Sequence, residues 1–202
     1  MSNSNFKFGK MKSTYLLIVC FLITNCSKVS TDKDLSDKSI GAKLMLDGKV
    51  WMTKNLAIET PESYCQQDDT TNCSKLGRLY TWEAAKCGCN LLGDGWRLPT
   101  NEEWKTMAKQ YGGIYDDSDD NGKLAYLNLT VGGKAAFNAL LGGNREKDGS
   151  YERLGAHGFY WTITESDSTE AWFYNFAKGS TLLNRHTGDK QIAISVRCIK
   201  EK

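Results

Sequence analysis

Apolar residues follow a helical spacing through the middle of this chain. Three segments have this spacing: Tyr80–Leu91, Thr100–Tyr111 and Lys134–Leu141. In the first segment, Trp82 and Cys89 fall on one stripe, which is typical of a helix that packs against a core. The third segment is short and ends at two glycines, which favour a helix end. We therefore predict three helices in this region.

Two short apolar runs nearer the N-terminus have the signal of a β-hairpin. Ala42–Leu46 and Val50–Met52 flank the turn sequence Asp47, Gly48 and Lys49. The glycine permits the positive φ angle that tight hairpin turns need. These runs predict two antiparallel strands.

Extended runs of β-branched and aromatic residues dominate the C-terminal region. They are Phe159–Thr164, Ala171–Ala177 and Ile192–Ile199, and turn residues such as Gly179 and Gly188 separate them. Helices that come early and an antiparallel sheet that comes late define an α+β fold class. We expect a single α+β domain.

The segment Gly95–Pro99 and the residues that follow it combine a strand with a helix start. Trp96 and Leu98 alternate, so they share one face, and the proline ends the strand. Thr100 and Glu103 have the spacing of a capping box, in which each side chain bonds the backbone N–H of the other residue. This element contains no catalytic group, so Trp96 and the following Trp104 are expected to be structural residues.

Five stretches, in this order along the chain, resemble the Fibrobacter succinogenes major paralogous domain family. They are Gly48–Leu56, Gly77–Ala85, Asp94–Pro99 with Glu103-Trp104, Gly158–Thr162 and Ser195–Cys198. That family is similar to C-type-lectin-like domains and to the enzymes that generate formylglycine in sulfatases. The resemblance implies a C-type-lectin-like domain with two main N-terminal helices, a C-terminal antiparallel sheet and disulfide bonds. It implies a fold and an envelope location more than an activity.

The first 25 residues have the features of a bacterial leader. Three lysines precede the apolar run Tyr15–Thr24. This run is too short for a membrane span of about 20 residues, but it suits a signal-peptide core of about 7–15 residues. Because Leu22–Cys26 resembles a lipobox, we predict that residues 1–25 are a lipoprotein signal peptide and that Cys26 is lipidated. A plain secretory signal with an incidental cysteine is the alternative.

Residues 26–40 and 41–202 differ in composition. The first range is rich in Ser, Thr, Asp and Lys without an apolar period, which predicts a flexible tether. The second is long enough for one domain with a sizeable core. Several acyl chains on Cys26 would hold the protein at a membrane. Because Ser27 is not acidic, we expect an outer-membrane lipoprotein that is periplasmic or surface-exposed.

The charge of the chain is close to balanced. The sequence has 26 Lys and Arg against 24 Asp and Glu, and three of the lysines lie in the predicted leader. Nucleic-acid binding needs a strongly basic face. We therefore expect no nucleic-acid partner, and a membrane contact through the N-terminal lipid.

Five cysteines follow Cys26 in the predicted mature protein. Cys65 and Cys73 bracket a polar loop and are expected to form a local disulfide. Because five is an odd number, at least one cysteine cannot pair within the domain. A metal site at Cys87 is not expected, because neither histidine has a Cys or His beside it.

The family resemblance implies a second disulfide between the cysteine before the Gly-Trp-Arg-Leu-Pro element and the one in the last strand. Cys89 lies closer to the family position than Cys87, so Cys89–Cys198 is the expected pair and Cys87 is expected to be a half-buried free thiol. The pair Cys87–Cys198 is the alternative. The two candidates point about 200° apart around a helix, so only one can face the last strand.

One acidic loop has part of the pattern of a calcium site. Asp117, Asp119, Asn121 and Gly122 match the opening of a calcium-binding loop, but Asn128 stands where the bidentate glutamate is needed. A solvated acidic loop is the favoured interpretation. We therefore expect no cofactor, with calcium as the alternative.

Aromatic residues on the predicted C-terminal strands could form a ligand platform. Tyr160, Trp172 and Tyr174 are the candidates for contact with a sugar ring or another protein, if one sheet face is open. The favoured interpretation is that loops cover that face and that all of these residues belong to the core. The calcium-ligand motifs of sugar-binding C-type lectins are absent, so calcium-bridged sugar recognition is not implied.

The sequence offers little for catalysis. It lacks a Gly-x-Ser-x-Gly elbow, a His-Glu-x-x-His motif and a phosphate-binding loop. Glu165, Asp167 and Glu170 lie in a polar connection and are expected to face water. The formylglycine-generating relatives use a C-terminal cysteine pair, where this chain has Cys198 alone.

Three functions follow from these observations. The leading hypothesis is a lipid-anchored binding module that recognises a protein or glycan at the bacterial envelope without catalysis. The second is a structural or assembly component of the envelope. The third is a modifying oxidoreductase related to the formylglycine generators. A concave polar and aromatic groove would favour the first, and an extended apolar patch would favour the second.

Overall fold

The computed structural model describes residues 40–202 as a mixture of helices and antiparallel sheets. The helices are α1 (Thr70–Leu76), α2 (Trp82–Leu91), α3 (Asn101–Lys109) and α4 (Lys123–Leu129). The strands are β1 (Ala42–Leu44), β2 (Val50–Met52), β3 (Ser63–Tyr64), β4 (Leu79–Tyr80), β5 (Asn144–Arg145), β6 (Tyr151–Glu152), β7 (His157–Glu165), β8 (Glu170–Ala177), β9 (Leu182–Asp189) and β10 (Ile199–Lys200). The α+β class predicted from the sequence is therefore correct.

The N-terminal predictions lie beyond this range. The leader over residues 1–25, the lipidated Cys26 and all of the predicted tether except Ile40 fall outside the described residues. Within the described part of the chain, no helix is both long and apolar enough to cross a membrane.

The largest sheet contains β7, β8 and β9 in sequence order, and all its pairings are antiparallel. A second sheet joins the predicted hairpin β1–β2 to β10, so the two ends of the described chain meet in one sheet. The hairpin turn forms at Gly48, whose φ angle is +84°. Two-stranded pairs β3–β4 and β5–β6 complete the strands.

The main sheet has a core on each face. On one face, which we call the α2 face, Phe159, Trp161 and Phe173 pack with helix α2. On the opposite face, which we call the α3 face, the fully buried Tyr160 and Tyr174 pack around Trp104 of helix α3. This alternation follows from the strand geometry, in which successive side chains point to opposite faces.

Two of the three predicted helices are present. Helix α2 matches the predicted segment Tyr80–Leu91, and α3 begins after Thr100, whose side chain accepts a hydrogen bond from the Glu103 backbone. The Glu103 carboxylate accepts from the Thr100 backbone at 2.8 Å, which completes the capping box. Trp96 is 4% exposed and Trp104 is fully buried, so both are core residues.

The predicted helix Lys134–Leu141 is wrong. Ala135, Phe137 and Ala139 are buried while Ala136 is exposed, so the burial period is two rather than that of a helix. Ala136 and Asn138 have φ angles of 51° and 57°, which a helix does not allow. The short helices α1 and α4 were not predicted.

The third C-terminal strand was placed wrongly. Ile192–Ile199 forms isolated bridges to several elements, and only its last residue belongs to a strand, β10. The strand that completes the main sheet is β9, whose half-exposed residues lack an apolar alternation. A buried extended segment and a regular strand have the same apolar pattern, so periodicity alone did not separate them.

The structure contains the two expected disulfides, Cys65–Cys73 and Cys89–Cys198. Their Cα atoms lie 4.9 and 5.7 Å apart, and both members of the second pair are fully buried. The prediction that Cys87 is a free thiol is wrong, because Cys87 is also disulfide-bonded. The argument from an odd number of cysteines fails, since it holds only when every possible partner has been counted.

Candidate functional site

A groove of about 330 Å³ opens on the α2 face of the main sheet. Its floor is apolar and includes Phe159, Phe173 and Ile192, and its rim is polar. The rim residues are Asn144, Glu146, Arg153, His157, Asn175 and Thr187. A concave apolar surface with a few converging polar groups is the usual form of a ligand site.

The register of β7 and β8 brings the strand residues of the groove together. Phe159 lies opposite Asn175, and His157 opposite Ala177. Because alternate side chains share a face, His157 and Phe159 point to the same side as Phe173 and Asn175. The rings of His157 and Phe159 are stacked with centroids 5.3 Å apart, and Phe159 meets Phe173 edge to face at 5.6 Å. These contacts fix the aromatic wall of the groove.

The polar wall comes from the β5–β6 hairpin and the residue that follows it. Arg153 donates hydrogen bonds to Asn144 Oδ1 at 3.0 Å and to Glu146 Oε1 at 2.9 Å. Asn144 Nδ2 also donates to Glu146, at 2.8 Å. The guanidinium of Arg153 pairs with the carboxylates of both Glu146 and Glu152. The positive charge of Arg153 is therefore fully engaged by carboxylates within the protein.

Two side chains keep hydrogen-bonding atoms for a ligand. Nδ1 of His157 lies 3.0 Å from Oδ1 of Asn175, which is an acceptor, so Nδ1 donates and Nε2 stays available. The amide nitrogen of Asn175 is not used in this contact. The ring of His186 contacts that of Phe173, with centroids 5.8 Å apart. Burial lowers the pKa of His186, and the nearby His157 lowers it further.

The predicted platform residues do not form a platform. Tyr160 and Tyr174 are fully buried on the α3 face, so neither can contact a ligand there. Trp172 is half-buried, and the guanidinium of Arg185 lies 4.4 Å from its ring centroid. The groove uses the opposite set of alternating residues, including His157 and Asn175. The alternation along the strands separates these two sets of side chains, but the sequence alone does not show which set lies on an accessible face.

The acidic loop is organised by its own hydrogen bonds. Asp117 forms an ion pair with Lys105 at 3.0 Å. Asp120 Oδ2 accepts a hydrogen bond from the Leu124 backbone at the start of α4, while Asp119 and Asn121 lie in the turn beside it. Between residues 40 and 202, no three metal-binding side chains of the His, Cys, Asp or Glu type come together. The loop leads directly into α4.

The acidic residues considered for catalysis are also held by local contacts. Glu165 pairs with Lys190 at 2.6 Å. Asp167 accepts hydrogen bonds from the backbones of Thr169 and Glu170, and these bonds lower the pKa of the Asp167 carboxyl. These contacts shape the turn between β7 and β8.

A larger cavity of about 630 Å³ lies between the loop after β2 and helix α1. Its amide side chains are engaged inside the protein: Asn55 binds Arg197 and the Leu76 carbonyl, and Asn138 binds the Ala136 carbonyl. Ile40, where the described chain begins, forms part of its wall. The smaller groove has more polar groups directed at one space, so it is the better ligand site.

The fold and the groove define a disulfide-bonded α+β domain with one concave, neutral, polar and aromatic surface. The chain belongs to the Fibrobacter succinogenes major domain family, because a model of that family matches residues 45–200. Searches of curated proteins and of solved structures found no match.

Proposed function

We propose that this protein is a binding module of the bacterial envelope and that it holds its ligand in the groove of the main sheet. The observation that carries the proposal is the combination of an apolar floor at Phe159 and Phe173 with the polar rim around them. A groove of this volume lies at the small end of the range of ligand pockets. It fits a single unit of a larger molecule, such as one sugar residue of a glycan.

The chemistry of the rim favours an uncharged ligand. Arg153 is already paired with two carboxylates, so an anionic ligand would have to displace an internal partner. His157 and Asn175 offer hydrogen bonds that suit hydroxyl and amide groups. Aromatic rings suit the apolar face of a sugar or a small side chain. We therefore favour a neutral glycan, with an uncharged protein surface as the alternative.

The same considerations support a function without catalysis. A formylglycine-generator-like activity would need a cysteine pair that a substrate can reach. Cys198 has a cysteine partner, Cys89, but both residues are fully buried and neither lines the groove. The groove is lined by aromatic, amide and imidazole side chains that suit ligand binding, and its one arginine, Arg153, is held in ion pairs.

Binding of the full-length protein to arrays of bacterial envelope glycans and purified envelope proteins tests the proposal. His157→Ala and Asn175→Ala should each weaken a genuine hit by about tenfold, because each removes one or two hydrogen bonds in a desolvated site. Trp172→Ala is the matched control, because Trp172 does not line the groove and its side chain alternates to the face opposite Phe173 and Asn175. A hit that survives both groove variants and is lost in Trp172→Ala would contradict the assigned site.

One observation favours assembly as a second candidate function. Leu124, Leu127 and Val131 are 50%, 50% and 65% exposed and lie on one side of α4 and the turn after it. Such a stripe of exposed apolar residues is typical of a protein contact. If this apolar stripe packs against another subunit, light scattering should detect an association of the wild-type protein, and Leu127→Glu should abolish it.

The membrane anchor and the C-type-lectin-like relationship complete the proposal. We propose that Cys26 carries the lipid and that the domain stands at the outer membrane, on the strength of the lipobox-like sequence. The early helices, late antiparallel sheet and Cys89–Cys198 bond support a C-type-lectin-like fold. Partitioning of the expressed protein into a detergent phase should be lost in Cys26→Ser, and partitioning that survives this change would rule out the anchor.

A further inference from the structure

The main sheet ends at β9, whose outer edge is only partly covered. β9 pairs with β8 on one side. Leu183 directs its backbone to the other side, where its N–H donates to the Gly122 carbonyl and its carbonyl accepts from the Tyr115 N–H. The loop before α4 therefore extends the sheet at this one residue, which shows that the edge accepts further backbone pairing.

Arg185 and Thr187 have the same orientation as Leu183. In an antiparallel pair, every second residue directs its N–H and carbonyl away from the partner strand. The backbone groups of Arg185 and Thr187 have no hydrogen-bond partner in the range 40–202, and both residues are half-buried. This edge consequently offers two donors and two acceptors in a regular row. Such a row is a template for an added strand.

A cavity of about 410 Å³ lies beside this edge. Its wall includes the ion pair of Lys105 with Asp117, together with Asp116 and Arg185, so positive and negative charges balance. Asn184 and His186 of β9 also line this cavity, so it lies directly beside the edge.

We propose that an extended segment of a partner protein adds to β9 as a further strand. Its backbone pairs with Arg185 and Thr187, and one of its side chains enters the cavity beside Arg185. Main-chain pairing of this type supplies affinity, while the pocket for an alternate side chain supplies specificity. This surface meets the glycan groove at Thr187, but the cavity and Arg185 lie outside the groove, so variants at Arg185 test strand addition without changing a groove residue.

The first test uses a library of random linear peptides, selected on the immobilised full-length protein. A selected peptide is then synthesised with single backbone N-methyl groups at successive positions. N-methylation should weaken binding by about tenfold at alternate positions, where the peptide N–H faces β9, and should be tolerated between them. Failure to recover a peptide, or equal effects at all positions, would overturn the proposal.

The second test changes the edge itself. Arg185→Pro removes an outward N–H that makes no hydrogen bond within the described chain, and edge strands tolerate proline at such positions. Arg185→Ala is the matched control, because it removes the side chain and keeps the backbone. Peptide binding should be lost in the proline variant and retained in the alanine variant. Equal loss in both would overturn strand addition.

Two further readouts keep these results unambiguous. Glycan binding by Arg185→Pro, with an unchanged melting temperature, would show that the fold is intact; if this variant does not fold, the N-methyl series decides alone. Light scattering tests whether the edge instead joins two copies of this chain. A wild-type dimer that Arg185→Pro disperses would overturn the proposal of a separate protein partner.

Discussion

Arg197 is a fully buried cation that is held by neutral acceptors. Its guanidinium donates to Asn55 Oδ1 and to the backbone carbonyls of Met52, Phe137 and Asn138, at 2.7 to 3.1 Å. Burial lowers the pKa of Arg197, but arginine keeps its charge in proteins. The planar fork of donors joins three separate chain segments, so this residue acts as a structural centre.

Arg197→Lys should therefore be strongly destabilising. A lysine ammonium is a point charge that cannot reach all four acceptors, and buried acceptors without a partner cost about 1–3 kcal/mol each. We expect a loss of about 2–4 kcal/mol in the free energy of unfolding, measured in urea. Arg153→Lys is the control, because the Arg153 side chain is 44% exposed. A variant at position 197 with wild-type stability would contradict this account.

Trp96, like Arg197, is a buried residue with a structural role. It is 4% exposed and packs in the core with Leu98 and Val196. Replacement of a buried tryptophan by alanine costs about 3–5 kcal/mol, a large share of a typical total of about 5–15 kcal/mol. Trp96→Ala should therefore unfold or nearly unfold the oxidised domain in a thermal melt. A variant that melts normally but loses its ligand would make this signature a binding site.

Among the elements, helix α3 depends on the charge of one capping residue. The Glu103 carboxylate accepts from the Thr100 backbone and forms an ion pair with Arg97 at 2.6 Å. Burial alone would raise the pKa of Glu103, but the hydrogen bonds from Arg97 and Thr100 outweigh burial and lower this pKa to about 2. The folded protein thus favours the ionised carboxylate.

This shift predicts an acid-sensitive contribution to stability. Because the folded-state pKa lies below the ordinary value of 4.5, the stabilisation is present above pH 4.5 and is lost as the pH falls towards 2. Glu103→Gln should lower stability at pH 7 by about 2–3 kcal/mol and flatten the stability profile over this window. Glu102→Gln, one residue earlier on the same helix turn, is the control. Parallel profiles for wild type and Glu103→Gln would contradict the assignment.

The elements that sequence analysis found are those with local signals. The capping box predicted α3, and Asp47–Lys49 predicted the first hairpin, because a few adjacent residues determine both. β9 was missed because an edge strand needs no apolar alternation. The open face of the main sheet was missed for another reason. Both faces of the sheet have aromatic residues. The positions of the β5–β6 hairpin and of α2 determine which part of the α2 face stays accessible as the groove.

At the scale of the whole molecule, the C-terminal segment joins otherwise separate parts of the fold. Ala193 bridges to Arg145 and Ile194 to Tyr80, while Ile199 bridges to Arg97. Each bridge involves one residue and a different partner element. Residues 193–199 are buried without forming a long strand, and a buried extended segment has the same apolar run as a strand. The Cys89–Cys198 bond fixes it to α2.

The two described disulfides should contribute unequally. Cys89 and Cys198 are separated by 109 residues, and Cys65 and Cys73 by eight. In the chain-entropy model, removal of the long link costs about 4–5 kcal/mol and removal of the short link about 2–3 kcal/mol. Urea unfolding of the two double-alanine variants, under oxidising conditions, measures the difference. Equal losses would contradict the prediction that the disulfide closing the longer loop contributes more stability.

We expect the ligand to bind in the groove, and the two histidines of the chain report on this site directly. His157 lines the groove, and His186 contacts the ring of Phe173 in its floor. The imidazole Cε1–H region of the NMR spectrum of the full-length protein should therefore contain two signals, and His157→Ala assigns them. Saturation with a glycan or protein found on the arrays should shift the His157 signal, with a smaller shift for His186. Saturated binding that leaves both signals unchanged would place the ligand elsewhere and contradict the account.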